Sequence, residues 1–304
     1  MICLDGSGAL LRKGCACRGS SSWAHAECMA RAAAAQRPRR GERAWSECQT
    51  CGQHFTGQMT AALACLWGET RSSGCAMLRA TGLQNVGAYA EAERAFRDVL
   101  EACVARYGPT HEATLVAMGK LASAMQPMWN DEGKRAESET LWRRVHACRV
   151  RTLGAEHPLT LASQASLALV LSQEPASAQG RFDEAERLYK VTIGAQTRVM
   201  GAEHAHTLVA KGNYASMLSR RGDDEAAEPI FREVISAHRR LMGDLHPHTM
   251  LMCGNLAQCL ANQHRYDEAR DVYGRTARAM RDVLGPTHPD TREYARRALL
   301  CVSA

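Results

Sequence analysis

The residues of this chain with the most chemistry to offer stand within its first 51 positions. They are Cys3, the run Cys15-x-Cys17-x7-His25-x2-Cys28, and, nineteen residues on, Cys48-x2-Cys51. Thiolates and an imidazole one or two residues apart can converge tetrahedrally on zinc, and alternate pairs can build two closed sites. The other seven cysteines (Cys65, Cys75, Cys103, Cys148, Cys253, Cys259 and Cys301) are scattered through sequence of helical character. In a reducing compartment the first group points to metal and the second to small buried hydrophobes. A second histidine set (His111, His157, His204, His246, His288) also invites a metal reading. Its members sit about one repeat apart, at turns, so they are assigned to turn formation and packing. Gly6-Ser-Gly8 has neither the preceding strand nor the third glycine of a dinucleotide fingerprint, and His111-Glu112 lacks the second histidine of a zincin. No small-molecule active site is visible in the sequence.

In ligand order and spacing, roughly the first 57 residues resemble the RING-CH (RING-variant) family, whose C4HC3 pattern has a one-residue gap between its third and fourth ligands. The resemblance implies a cross-brace in which Cys15, Cys17, Cys48 and Cys51 hold one zinc while Cys3, His25 and Cys28 share the other. The pattern asks for one more cysteine three residues before Cys3, so the expected explanation is a start placed inside a longer reading frame. By the same resemblance the module recruits a ubiquitin-conjugating enzyme, with Ile2 as the apolar contact just before a ligand. Ala32 stands where the family carries Trp, and Cys48-Gln-Thr-Cys51 lacks the proline often found there. Two readings therefore remain open: an active RING-type E3 module, or a zinc-held interaction module without enzymatic function.

The elements that would position these residues follow a repeat. The pattern G-x-x-H-x-x-T occurs at Gly108, Gly154, Gly201, Gly243 and Gly285, with its histidines 46, 47, 42 and 42 residues apart. A small residue four before an aromatic recurs at Ala92/Phe96, Ser138/Trp142, Ala185/Tyr189, Ala227/Phe231 and Ala269/Tyr273, with the same spacings. Two independent ladders of one period define helix pairs stacked on their neighbours. Pro158, Pro247 and Pro289 pre-set the turns, and Thr160, Thr249 and Thr291 are expected to cap the helices that follow. A first outer helix is expected over 71–85 and an inner one over 88–107. The longer spacings place extra residues at 126–135 and 174–180, both read as loops.

This array resembles tetratricopeptide repeats of the 42-residue, kinesin-light-chain kind, through Leu153-Gly-Ala-Glu-His157-Pro-Leu-Thr160 and Tyr266-Asp-Glu-Ala269. The resemblance implies a concave face that captures a protein or peptide, with Asn213 and Asn255 placed to bind peptide backbone. Lys120 and Ser166 occupy the equivalent positions in earlier repeats. The expected fold is mostly α: a small zinc-bound cross-brace N-terminal module over 1–57, a helical connector and first repeat helix over 58–87, and an α-α solenoid of tetratricopeptide type over 88–304 with a terminal capping helix. Of the net charge of +6, residues 1–57 carry +4, which is read as a solvated basic loop and not as a nucleic-acid site. No apolar run is long enough to span a bilayer and no signal-peptide core opens the chain, so a cytosolic or nuclear address without membrane attachment is expected.

Because the Cys15/Cys17/Cys48/Cys51 quartet is complete, the purified chain should carry at least about one zinc per molecule under reducing conditions. Metal analysis checks this; a lower content, or one unchanged by Cys48→Ser with Cys51→Ser, removes the assignment.

Overall fold

A computed structural model describes residues 10–12, 23–25, 29, 32–33, 35–36, 39, 73–85, 88–173, 179–286 and 289–301. Ile2, Cys3, Cys15, Cys17, Cys28, Cys48 and Cys51 lie outside the described residues. So do most of the expected 174–180 loop and the apolar stretch ahead of residue 73. Two compact units are distinguished, Met1–Ser138 and Glu139–Ala304.

In the first unit, β1 (Leu10–Arg12) pairs antiparallel with β2 (Trp23–His25), Leu10 opposite His25 and Arg12 opposite Trp23. The backbone of His25 therefore closes a short ladder. Met29 and Ala33 have helical backbone and are buried. Helices α1 (Ser73–Asn85), α2 (Tyr89–Tyr107) and α3 (Glu112–Ala124) follow, each packed on the next. The expected 126–135 loop is instead a 3-10 turn, Gln126–Met128, and the opening of α4 (Glu132–Leu153). In the second unit come α5 (Pro158–Leu171), α6 (Gln179–Met200), α7 (Ala205–Arg221), α8 (Asp224–Met242), α9 (Pro247–Asn262), α10 (Tyr266–Leu284) and α11 (Pro289–Leu300). From α5 onward every helix packs on its successor, and α5 with α7 and α7 with α9 also touch. The described residues are thus mostly α, in successive helix pairs.

The core is the predicted interlock. Ala92, Ala185, Ala227 and Ala269 have no exposed surface, and Phe96, Tyr189 and Phe231 four residues on have none either. An i, i+4 pair lies on one helix face, so the missing side-chain bulk at Ala makes room for a neighbouring helix beside the ring. Burying each ring contributes about 1.5–3 kcal/mol. Glycine serves the same end where first helices meet. A Cβ on Gly254 would stand 2.2 Å from the Tyr294 ring, and one on Gly212 2.5 Å from Met252.

Three repeat turns share one chemistry in full. Gly108, Gly243 and Gly285 end α2, α8 and α10 with φ of 85°, 87° and 93° and ψ near 165° (170°, 169° and 163°), a region open to glycine alone. The threonines do not cap, and among the described residues the buried hydroxyls of Thr160 and Thr291 have no hydrogen-bond partner. Thr114, Thr207 and Thr249 donate their hydroxyls back to the carbonyls of Gly108, Gly201 and Gly243, at 2.7, 2.9 and 2.9 Å. Capping falls to the histidines: Nδ1 of His111, His157, His204 and His246 each accepts the backbone N–H two residues on, at 3.2 Å. Those N–H groups belong to the first turn, where helical partners are missing.

A ladder of ion pairs also runs through the second helices. The residue after the small one is Glu93, Glu139, Glu186 or Glu228. Each meets a cation four residues on, respectively Arg97, Arg143, Lys190 and Arg232. Each also meets one from the following repeat, respectively Lys134, Arg181, Arg221 and Arg265. Burial alone would raise the Glu139 carboxyl, but hydrogen bonds from Arg143 and Arg181 prevail and hold it below its ordinary range. Removing its charge with Glu139→Gln should cost about 1 kcal/mol at pH 7 in urea unfolding. The difference should vanish as pH falls through the lowered carboxyl range, since the native side chain is then protonated too. Equal stability at pH 7 would show that the ladder carries no net energy.

Candidate protein-interaction face

The first helix of each pair buries one side and presents the other. On α7 the outward line is Val209, Asn213, Ser216 and Arg220. On α9, forty-two residues later, it is Leu251, Asn255, Gln258 and Asn262, with Leu251 46% exposed. These positions repeat at steps of three and four, so they form one stripe per helix. The side chains between them are largely committed. Asn255 donates from Nδ2 to the Ser216 hydroxyl at 3.1 Å, and Arg220 donates to the Ser172 carbonyl at 2.8 Å, bridging α7 to the end of α5. Gln258 accepts from the Tyr273 hydroxyl at 3.1 Å and donates to Asn262 at 2.9 Å.

Asn213 is different: among the described residues its half-buried amide makes no hydrogen bond. A free carboxamide offers one acceptor and a two-hydrogen donor, which matches the C=O and N–H of a peptide unit. Asn255 keeps its Oδ1 for the same use. At the equivalent position of α5 the Ser166 hydroxyl is spent on the Ala162 carbonyl at 3.1 Å, while Lys120 on α3 is exposed. The sequence pointed to both asparagines but not to Arg220, Leu251 or Gln258. Aligning the exposed positions at the 42-residue period would have found them. His25, the only residue of the expected zinc set that is described, is placed by its backbone alone. Among the described residues no three His, Cys, Asp or Glu side chains are grouped to hold a metal, and no helix is long and apolar enough to cross a membrane.

Successive helix pairs, with outward polar side chains on α7 and α9, define a helical-repeat protein that mediates protein–protein interaction. The tetratricopeptide-repeat family matches at residues 75–113, 114–159, 176–240 and 249–290, together more than half of the chain, and the chain belongs to it. Its structure is similar to that of BtubC (BKLC) from P. vanneervenii, with 16% identity over 76% of this chain and 90% of that one, at a TM-score of 0.52. It is also similar to the crystal structure of a single-substitution variant of a Podosopora anserina protein, described as a kinesin light chain with nearly identical TPR-like repeats. There the identity is 22% over 69% of this chain and 94% of that one, at a TM-score of 0.50. At these identities the likeness is one of fold. No curated protein matches the chain.

One buried group makes this region sensitive to acid. His238 on α8 is 1% exposed, and neither ring nitrogen has a hydrogen-bond partner. Its ring lies 6.2 Å from that of His248, which in turn stacks 5.6 Å from His246. Burial first, and then the two neighbouring imidazoles, press its pKa below the ordinary value of 6.5. The native state therefore keeps it neutral while the unfolded chain takes up the proton. The stability this provides is complete above about pH 6.5 and is lost as pH falls from there through the folded value. Full-length protein should melt at progressively lower temperature across that window, and His238→Leu, of similar bulk, should flatten the slope. A slope unaffected by the substitution assigns the effect to other groups.

Proposed function

We propose that this chain is an adaptor that holds a protein substrate or cargo along the stripes of its first helices, by the backbone of an extended segment. The observation that carries this reading is the unpartnered Asn213 amide, set one repeat from Asn255, whose helix also carries the exposed Leu251. Backbone capture through side-chain amides takes many sequences, and specificity then comes from the residues between. The amino-terminal run of cysteines and His25 adds a second function to this proposal. Zinc bound there would hold a small module that docks a ubiquitin-conjugating enzyme through Ile2, and ubiquitin would pass to a lysine of the captured protein. The chain would then act as a soluble E3 ligase with no covalent intermediate of its own. A scaffold without ligase activity is the second reading, and Ala32 favours it, because aromatic anchors commonly dominate interface energy.

Ubiquitin-chain formation by the full chain, extended to include any upstream cysteine, separates the two across a broad panel of conjugating enzymes. The ligase reading expects transfer that Ile2→Ala slows at least several-fold, corresponding to about 1–3 kcal/mol, with zinc content unchanged. Absence of transfer with every enzyme leaves the scaffold. In either case Asn213→Ala with Asn255→Ala should weaken binding of a captured partner by about 1 kcal/mol per amide. Unchanged affinity would place the ligand elsewhere on the molecule.

A further inference from the structure

On the opposite side of α9 from its polar stripe, between α8 and α10, lies a cavity of about 530 Å³. Its floor is apolar: Leu256 and Leu260 rise from α9, with Ile235 on α8, all three buried. The preceding interval, between α6 and α8, is built on equivalent positions and is crossed by side chains. There Lys211 reaches Glu233 at 2.5 Å, and the Tyr214 hydroxyl donates to Glu186 at 3.3 Å with its ring 5.9 Å from Tyr189. Forty-two residues on, Lys211 becomes Cys253, Tyr214 becomes Leu256 and Glu233 becomes Arg275. The crossing ammonium and phenol are gone, and the carboxylate has become a guanidinium. These three changes remove the side chains that cross the preceding interval.

Its mouth is basic. Four arginines line it against two carboxylates, Glu268 and Asp271. Arg232 is held by Glu228 of the ladder, and Arg240 by Glu203. Arg239 on α8 and Arg275 on α10 are held in solvent-exposed pairs. Arg239 meets Asp244 at 2.7 Å and Arg275 meets Asp271 at 2.8 Å, and in both pairs each partner is about half exposed or more. Such exposed pairs are worth little, so another carboxylate can replace the present one at small cost. The volume falls in the range of ligand sites.

We infer that this cavity is a second binding site, distinct from the polar stripes, for an acidic peptide segment of a partner protein with one apolar side chain between its acids. The argument is one of complementarity. Guanidiniums on both walls of an apolar floor ask for anions on both sides of an apolar group, and an extended Glu-Leu-Glu segment presents that order. The leucine fills the space that Tyr214 fills one repeat earlier, and the flanking carboxylates take over Arg239 and Arg275 from Asp244 and Asp271.

The probe is a fluorescein-labelled peptide Glu-Glu-Leu-Glu-Glu, titrated against the full chain at low salt with anisotropy as readout. Saturable binding is expected with a dissociation constant under about 1 mM. Replacing the peptide's leucine by serine should weaken it about tenfold, as should refilling the cavity with Cys253→Lys and Leu256→Tyr, which restores the side chains of the preceding interval. Arg275→Glu alters only an exposed position and should weaken binding to a similar extent with the helical content intact. It serves as the test should the refilled variant fold poorly. Asn213→Ala with Asn255→Ala should leave this peptide's binding unchanged, which separates the cavity from the first-helix face. No saturation by that concentration, or equal binding to wild type and Arg275→Glu, overturns the assignment.

Discussion

Everything in the repeat array hangs on the short turn that joins one helix pair to the next. A glycine with φ near 90° and extended ψ turns the chain out of the second helix in a conformation denied to residues with a Cβ. Six residues later, at Thr114, Thr207 and Thr249, a buried hydroxyl returns to that glycine's carbonyl, and between them a histidine ring accepts a first-turn N–H. The three contacts fix where the next first helix begins and in which direction it sets off. Small residues facing rings, as at Ala227 and Phe231, can then meet in every pair because every pair starts from the same geometry. The histidines that most resemble ligands are consumed in this way: an imidazole whose Nδ1 accepts an amide proton is a cap.

The same regularity explains why variation between repeats carries functional meaning. Where the frame is constant, a changed side chain leaves a gap, a free polar group or a reversed charge, without altering the backbone around it. Asn213, Cys253, Leu256 and Arg275 are departures of this kind. Binding chemistry in this molecule therefore resides in the differences between equivalent positions, and the two faces of a helix such as α9 can diverge separately.

Much of this was legible in the sequence. The period, the Ala-to-aromatic interlock, the turn sites and the terminal helix were all readable, because burial and glycine geometry leave residue types that recur. The division of labour inside the turn was not. Thr and His both offer a group to an exposed N–H, and only the inward tilt of the threonine decides that histidine does the capping. The 126–135 insertion reads as a loop from its Pro, Gly and Asn, yet its last residues join α4, since helix packing overrides local propensity. The ion-pair ladder went unnoticed because Glu and Arg on a helix are usually solvated, and its partners lie about 35–42 residues apart. The arrangement of the cysteines remains a matter of spacing alone, since all of those ahead of residue 73 lie outside the described residues.

The ladder also has an end. In α10 the carboxylate position is Arg270 and the cation position four residues on is Gly274, so the cross-repeat bonding that ties Glu228 to Arg265 has no successor. The last pair meets α11 through the fit of Tyr294 against Gly254, its edge-on contact with Tyr273 at 5.9 Å between ring centres, and Arg297, which donates to Gln258 at 3.4 Å. The ladder thus ends inside the Glu139–Ala304 unit, and local openings should expose the amide protons of α11 and the end of α10 to exchange before those of α6 to α8.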